Sequence, residues 1–514
     1  RGLKNDRLVR ILDLPGIARR QAELSSAEER NFMQRYADGI NAFIQGYPDQ
    51  YPRVLGMMSR QPAPWTAEDI IAVQTFRIWS SSVNWRQELL TLRLIDELGA
   101  DRAAQLAPLN FNPDDEQTEA IAFAAGELML DYGDRLLNPF EAEHAMGSNA
   151  WVTDGAHSDS GMPILANDPH IDARNLPGFW YPVGIVTPKL RLVGGSTPGV
   201  PGMGVARNEH IAWGATNGYG DVVDLFVERV DPENPDHYLE GAASRPFEVR
   251  AEVIRIKDDG VEGGFREERI SVRRTRRGPV ISDHGMTLAD DRLISLRWAI
   301  PEYTGPDTGI RELMLATSVA EASLAVAKMA TPLNYLLADR EGNIARIASG
   351  HVPIRRVGNG LLPLPATAED NWLGRIPARD MPQVHNPRSG WTGSANHNVV
   401  PADYPYAFSS HFSPSWRYRR MQAFFAGELA DGGKLSNESH WNLLLDVEND
   451  LGRRLSEQIA DALAGEEAYR GLAQALRAWD HRVSTDSSGA LVFQKLLRHF
   501  AIATFEDDMS EELL

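Results

Sequence analysis

The chain has 514 residues, of which 43% are hydrophobic and 24% charged, a composition typical of soluble globular proteins. Its formal net charge of -19 argues against a nucleic-acid surface or a polybasic membrane anchor, since both require a basic field. The lack of cysteine excludes disulfides, thiol catalysis and thiolate metal sites, and no apolar run is long enough to predict a membrane span. The chain starts at Arg1 with neither Met nor a signal-peptide pattern, which predicts a processed product or a fragment.

Residues 1–110 have the pattern of a helical region. Ser26 followed by Glu29 is typical of a capping box, and apolar residues recur at helical spacing behind it. Thr66, with Asp69 three residues later, predicts the start of a second long helical stretch.

After this region the pattern loosens over residues 110–143, which contain two Asn-Pro pairs and an acidic run. A linker, a lid and a removable spacer all fit such a segment.

Beyond Ser148 the periodicity changes from helical to alternating, which predicts large antiparallel sheets separated by turn clusters. Helical patterns return late in the chain. The composite is an α+β protein with a largely helical N-terminal arm. The predicted strands cover 150–153, 180–186, 190–193, 222–230, 247–256 and 293–298, and the predicted late helices cover 418–429, 440–463 and 488–504.

Generic catalytic motifs are absent. The sequence has no G-x-S-x-G elbow, no H-E-x-x-H and no P-loop. The glycine-rich run at 199–204 contains a proline and is not followed by a helical pattern, so a phosphate cradle is not expected there.

A series of motifs in a fixed order is more informative. It starts with G-S-N-A-W at the point where the loose segment gives way to strands, and it continues with L-A-N-D-P-H, I-A-W-G-A-T-N and D-V-V-D-L. The series resembles that of the penicillin acylase family, and the resemblance runs from near residue 10 to about residue 500. The motifs lie at 147–151, 163–170, 199–202, 208–217, 221–225, 334–344, 386–396, 404–406 and 417–420.

The resemblance implies an N-terminal nucleophile hydrolase, in which two β-sheets lie between helical layers in an αββα sandwich. It implies an N-terminally truncated helical α-chain-like region at 1–125, a spacer at 126–147 and a C-terminally incomplete catalytic region at 148–514. The expected product is a periplasmic or secreted α/β heterodimer without an organic cofactor. Its expected activity is hydrolysis of a small-molecule acyl amide, such as a β-lactam side chain or an acyl-homoserine lactone.

The chemistry explains why the nucleophile, Ser148, must become an N-terminus. A serine hydroxyl is a weak nucleophile and needs a nearby base. A free α-amino group has a pKa of roughly 7.7–8.0, so a useful fraction is neutral near pH 7 and can accept the hydroxyl proton, directly or through one water. Cleavage after Gly147 would convert an amide nitrogen, which cannot accept a proton, into that base.

The resemblance assigns the remaining catalytic positions. His170 matches a position that is histidine in some cephalosporin and acyl-homoserine lactone acylases, and it would hold the α-amino group and contribute to oxyanion stabilisation. A structural histidine is the alternative. The backbone N–H of Asn217 and the side-chain amide of Asn334 would form the oxyanion hole. Arg356 would support Asn334, with Arg355 as the alternative counterpart.

The resemblance also implies a calcium site. Asp221 and Asp224 would supply carboxylates and Val223 a backbone carbonyl. Glu88 from the N-terminal region would complete the site and tie the two chains together, with Asp339 as a weaker candidate ligand. An acidic turn without metal is the competing interpretation.

Two other functions remain open from the sequence. One is a catalytically silent or incomplete binding or scaffold protein that keeps the fold. The other is a hydrolase with a Ser-His-Asp triad, which the lack of a strand–elbow–helix motif disfavours.

Overall fold

The structure, a computed structural model, describes residues 2–57, 61–106, 112–114, 147–171, 178–258, 260, 261, 263–287, 292–507 and 509. The N-terminal arm is helical, as predicted. Its two predicted helix starts are present, because Ser26 caps one helix by accepting from the Glu29 N–H, and Thr66 and Asp69 form a reciprocal capping box on another. The helices of the arm are α1 Gly2–Ile11, α2 Leu14–Leu24, α3 Ala27–Gly46, α4 Arg53–Met57, α5 Ala67–Ser80, α6 Trp85–Leu98 and α7 Ala100–Gln105.

The region after Gly147 is rich in strands, as the alternating pattern predicts. The strands are β1 Gly147–Thr153, β2 Ile164–His170, β3 Tyr181–Val186, β4 Arg191–Ser196, β5 Val205–Arg207, β6 Ile211–Asn217, β7 Val223–Glu228, β8 Val230–Asp231, β9 Asn234–Glu240, β10 Ala243–Pro246, β11 Glu248–Lys257, β12 Phe265–Thr275, β13 Gly278–Pro279, β14 Leu293–Trp298, β15 Leu333–Asp339, β16 Ile344–Ala348, β17 Pro353–Arg355, β18 Leu364–Pro365, β19 Trp372–Arg375, β20 Gln383–His385 and β21 Trp391–Ser394.

Helices are interspersed with these strands and dominate the last hundred residues. They are α8 Ile300–Tyr303, α9 Ile310–Leu315, α10 Val319–Val326, α11 Trp416–Glu428, α12 Asn437–Leu444, α13 Asp450–Ala464, α14 Arg470–Arg477 and α15 Ser488–Phe505. Short 3-10 turns lie at Pro48–Gln50, Gly155–His157, Ser282–His284, Ala378–Asp380, Ala430–Gly432 and Glu467–Tyr469.

Two sheets face each other at the centre of the molecule. One has the strand order β2-β1-β21 and the other β20-β16-β15-β6-β5-β4-β3, with antiparallel pairing throughout. The space between them is filled by small and branched side chains that are at most 5% exposed, since alternate residues of each strand point to this face. They are Ala150, Val152, Leu336, Ala338 and Ile344.

Helices cover the outer faces of both sheets. Trp151, on the opposite face of β1 from Ala150, packs with Met421 and Phe425 of α11 and Leu443 of α12. On the other side, side chains of β6 and β15 pack with α9 and α10 in a second apolar cluster. The layers are therefore helix, sheet, sheet and helix, which confirms the predicted αββα sandwich.

The N-terminal arm joins the sandwich through an apolar cluster. Ile11, Trp79 and Trp85 pack in one group with Val223 and Leu225 of β7, and all are less than 9% exposed. This packing places α6 against β7, next to the central sheets.

The late helices differ in part from the prediction. The single helix predicted over 440–463 is two helices, α12 and α13, because Asn449 starts a new helix by accepting from the Gly452 N–H. Helix α14 was not predicted. Most of the predicted spacer, residues 126–146, lies outside the described residues. None of the described helices is long and apolar enough to cross a membrane.

Candidate active site

The Gly147–Ser148 peptide lies at the start of β1, where the strand pairs with the end of β2. Gly147 stands opposite His170 in the register. The Ser148 hydroxyl donates to the Gly147 carbonyl oxygen at 2.6 Å, and the Ser148 N–H donates to Asn396 Oδ1 at 2.6 Å. The hydroxyl therefore sits beside the carbonyl of the bond that is predicted to break, and the nitrogen of that bond is held by a side chain.

Gly147 is tightly surrounded. A Cβ at this position would lie 3.1 Å from His170 Nδ1, 3.3 Å from Arg417 Nη2 and 3.6 Å from Asn396 Oδ1. Glycine allows these three side chains to approach the backbone closely. They form the immediate surroundings of the peptide.

His170 is oriented by a carboxylate that the sequence prediction did not include. Asp168 and His170 are two residues apart in β2, so their side chains share one face of the sheet. Their Oδ2 and Nε2 atoms are 2.8 Å apart. When Nε2–H donates to this carboxylate, Nδ1 is the ring nitrogen that faces Gly147.

The electrostatics of Asp168 agree with this pairing. Partial burial alone would raise the pKa of Asp168, but the hydrogen bond and charge of His170 outweigh it and lower that pKa below its usual range. The spacing D-x-H within the L-A-N-D-P-H motif is the signal that could have identified Asp168.

Asn396 and Arg417 lie within the motifs at 386–396 and 417–420, but the resemblance assigns them no role. Arg417 Nη1 donates to the Ser148 carbonyl oxygen at 2.8 Å and to Asn149 Oδ1 at 2.6 Å. Neither residue is near Ser148 in sequence, so only the fold brings them to it.

Asn334 lies fully buried in β15, opposite Thr216 of β6. Its Nδ2 donates to Ser394 Oγ at 3.1 Å, and the same hydroxyl is 2.8 Å from Thr216 Oγ1. Ser394 is two residues before Asn396, which contacts Ser148 and also donates to the Asn217 carbonyl oxygen at 2.9 Å. The structure thus brings Ser148, Asn217 and Asn334 into one hydrogen-bonded neighbourhood.

One atom of the Asn334 side-chain amide has no hydrogen-bond partner. Oδ1 is buried and accepts no hydrogen bond. The O and N atoms of an amide are distinguished by their hydrogen bonds, and exchanging them would let Ser394 donate to Oδ1 and would leave Nδ2 as the unused donor. A buried donor without a partner is what an oxyanion hole requires.

The structure does not bring Arg356 to Asn334. Successive residues of an extended chain point to opposite sides, and the Arg356 side chain is 48% exposed and donates to the Asp370 carbonyl oxygen. The neighbouring Arg355 is the buried one. Its Nη2 lies 3.1 Å from Asp221 Oδ2, and its Nε lies 2.9 Å from Asp224 Oδ1.

The predicted calcium ligands lie close together. Glu88 of α6 is fully buried and accepts from the Leu225 N–H with both oxygens, at 3.2 and 3.1 Å. Burial, with the charges of Asp224 and Asp221, raises the pKa of Glu88 well above its usual range. Burial likewise raises the pKa of Asp221 to about 7, although Arg355 opposes the rise.

These residues do not form a cation cage as they stand. Ca²⁺ takes 6–8 oxygen ligands. Both oxygens of Asp224 are taken by Arg355, and Oδ2 is also contacted by the indole N–H of Trp372. Asp221 Oδ2 accepts no hydrogen bond, but within the described ranges no three His, Asp or Glu side chains are arranged to hold a metal ion. The guanidinium supplies the positive charge, and calcium stays a prediction of the resemblance.

Val223 and Asp339 complete the list of predicted ligands. Val223 lies in β7 between the two aspartates, opposite Trp298 of β14. Asp339 ends β15 and accepts from the backbone N–H groups of Val319, Glu341 and Asn343. Asp339 therefore holds a turn.

Comparison with known proteins identifies the family. The sequence model of the penicillin amidase family matches residues 1–513.

The chain belongs to the penicillin amidase family.

Among the relatives, the acyl-homoserine lactone acylase QuiP of Pseudomonas aeruginosa is 28% identical over 99% of this chain and 63% of its own length. The penicillin G acylase of Escherichia coli is 25% identical over 93% of this chain and 62% of its own length. The chain thus spans less than two thirds of these penicillin amidase relatives.

A solved structure supports the fold. The thermostable penicillin G acylase from Alcaligenes faecalis matches with a TM-score of 0.52 and 23% identity, covering 66% of this chain and 60% of that one. This agrees with the αββα architecture expected of the penicillin amidase family.

Proposed function

We propose that this chain is the greater part of a self-processing serine amidohydrolase that uses Ser148 as its nucleophile. The observation that carries the proposal is the arrangement at the Gly147–Ser148 bond, where the hydroxyl contacts the carbonyl and Asn396 holds the nitrogen. Membership of the penicillin amidase family supports it.

In the processing step, Ser148 Oγ would attack the carbonyl carbon of Gly147. The Oγ–C bond forms and the C–N bond breaks, giving an ester, and the hydroxyl proton ends on the freed nitrogen. Water then hydrolyses the ester and releases Ser148 as an N-terminus. His170 Nδ1, which lies close to Gly147, is placed to take part in these proton transfers.

In the catalytic cycle, the neutral α-amino group would accept the Oγ proton as Oγ attacks the acyl carbonyl of the substrate. The oxyanion would be held by Asn334 Nδ2 and the Asn217 N–H. The amide C–N bond then breaks, the proton passes to the leaving amine, and water hydrolyses the acyl-enzyme.

The substrate class follows from this chemistry and from the relatives. The reacting group is a linear amide between an acyl chain and an amine. The relatives are named for acyl-homoserine lactones and for penicillin G, which share that group. We propose small N-acyl amides of this kind as substrates.

Turnover of two substrate sets tests the proposal. Purified protein is incubated with acyl-homoserine lactones of increasing chain length and with benzylpenicillin, and the freed amine is quantified. We expect amine release from at least one set, and none from Ser148→Ala. Binding of these compounds without release by the wild-type protein would favour a silent acylase-fold binding protein instead.

A further inference from the structure

A clamp of two side chains surrounds the nitrogen of Ser148. We propose that Asn396 and Arg417 are positioning residues that hold the α-amino nitrogen of processed Ser148 and keep it unprotonated, so that it can accept the hydroxyl proton. The inference rests on the proposed function, because it concerns the base of the same reaction. In this role the two side chains neither attack the substrate nor bind the oxyanion.

Asn396 fixes the position of the nitrogen. Its Nδ2 donates to the Asn217 carbonyl oxygen at 2.9 Å, so its Oδ1 is the atom left to accept from Ser148, at 2.6 Å. Asn396 is 1% exposed and has a φ of 66°. Asparagine adopts this left-handed region more readily than most residues, because its short polar side chain can hydrogen-bond locally. The side chain ties the nucleophile to the strand end that carries Asn217.

Arg417 brings a positive charge next to the same nitrogen. Its Nη2 donates to Asn396 Oδ1 at 2.9 Å, and the Ser148 nitrogen donates to that same oxygen atom. The guanidinium and the nitrogen therefore lie within about 6 Å of each other, the range in which a like charge disfavours ionisation. Two further hydrogen bonds, to the Ser148 carbonyl oxygen and Asn149 Oδ1, keep the guanidinium in place.

Other charged and titratable groups also face this nitrogen. Strand β2 contributes Asp168 and His170, which are hydrogen-bonded to each other at 2.8 Å. Arg417, from α11, is a cation in direct contact with Asn396.

The groups behind Arg417 include one guanidinium, Arg346, and one carboxylate, Asp114. The rings of His397 and Tyr418 stack with their centroids 3.6 Å apart. Burial, together with the charges of Arg346 and Arg417, lowers the pKa of His397 well below its usual range, so this ring is neutral. The Tyr418 hydroxyl donates to Asp114. This network anchors the helix from which Arg417 projects.

The pH dependence of kcat/KM tests the proposal, because it reports the ionisation of the base in the free enzyme. Arg417→Gln is compared with the wild type and Arg417→Lys, each first shown by N-terminal sequencing to start at Ser148. Arg420→Gln is the matched control, since Arg420 lies on the same helix but pairs with Asp446 at 2.6 Å.

We expect Arg417→Gln to move the acid limb of the profile upwards by about 1 pH unit or more. Arg417→Lys, which keeps the charge, should leave the limb near its wild-type position while lowering kcat. The Arg420 control should match the wild type. A processed Arg417→Gln enzyme with a lower rate but an unmoved acid limb would show a merely structural role and overturn the proposal.

A second variant covers the case in which Arg417→Gln is not processed. Asn396→Asp places a carboxylate beside the amine, so the acid limb should again move upwards, and an unmoved limb in the processed variant would overturn the proposal. A wild-type chain that does not start at Ser148, or has no acylase activity, would instead overturn the proposed function and the clamp with it.

Discussion

Replacing Asn334 with Ala should separate catalysis from folding at the proposed oxyanion hole. The side chain is fully buried, it is hydrogen-bonded to Ser394, and its remaining amide atom accepts no hydrogen bond. In the proposed mechanism that amide donates to the oxyanion only as negative charge develops. Asn334→Ala should therefore slow the chemical step without weakening substrate binding.

The expected magnitudes differ for the two effects. Loss of one oxyanion donor lowers kcat by roughly 10²–10³, or about 2.7–4 kcal/mol. Loss of the hydrogen bond to Ser394 costs about 1–3 kcal/mol of unfolding free energy. The second loss is smaller than the stability of a typical folded domain, about 5–15 kcal/mol, so the variant should still fold.

The assay is steady-state kinetics on a variant first shown to begin with Ser148. The loss should appear equally in kcat and kcat/KM, which marks an interaction made only in the transition state. Asn208→Ala is a matched control, because Asn208 is also a buried asparagine but hydrogen-bonds only backbone groups of a turn and of Met314 and Ala316. Its kcat should be unchanged. A processed Asn334→Ala enzyme with unchanged kcat would refute the assignment and reopen that of Asn217.

Two further predictions concern stability. The indole N–H of Trp151 donates to His440 Nδ1 at 2.8 Å, and burial lowers the pKa of His440 to about 4. The unfolded chain binds this proton near pH 6.5, so stability should fall by up to about 3 kcal/mol as the pH falls from 6.5 to 4. Urea titrations at several pH values should show that the unfolding free energy of His440→Gln depends less on pH than that of the wild type. Equal pH dependence in the two proteins would contradict the reasoning. Calcium is tested by elemental analysis after dialysis and by the effect of a chelator on the melting temperature. The resemblance implies a bound ion, but Arg355 already pairs with both aspartates, so this arrangement predicts no bound calcium and no change in melting temperature. One tightly bound calcium per chain would show that the carboxylates rearrange around a metal.

Local patterns were sufficient for much of the fold. The predicted strand over 293–298 coincides with β14, and the capping signals at Ser26 and Thr66 mark real helix starts. These features depend on residues within one turn or one strand of each other. The helix predicted over 440–463 was wrong because the apolar spacing continues through the break, where only the cap by Asn449 starts a new helix.

Only those site residues to which the motif resemblance assigns a role could be predicted from the sequence. The arrangement around Gly147 depends on Asn396 and Arg417, more than 240 residues further along the chain, and no local pattern indicates such a contact. Arg355 and Arg356 are adjacent, but their side chains face opposite sides of the chain, so Arg355 contacts Asp224 and Arg356 contacts the Asp370 carbonyl oxygen. A shift of one residue reverses that facing, so sequence spacing could not decide it.

The most direct test of the central claim is the N-terminal sequence of the purified mature protein, together with its intact mass. Cleavage after Gly147 predicts two chains, the second of which begins Ser-Asn-Ala-Trp, and Ser148→Ala should remain a single inactive chain because the same hydroxyl performs both reactions. An active amidase whose 147–148 bond is intact would contradict the account.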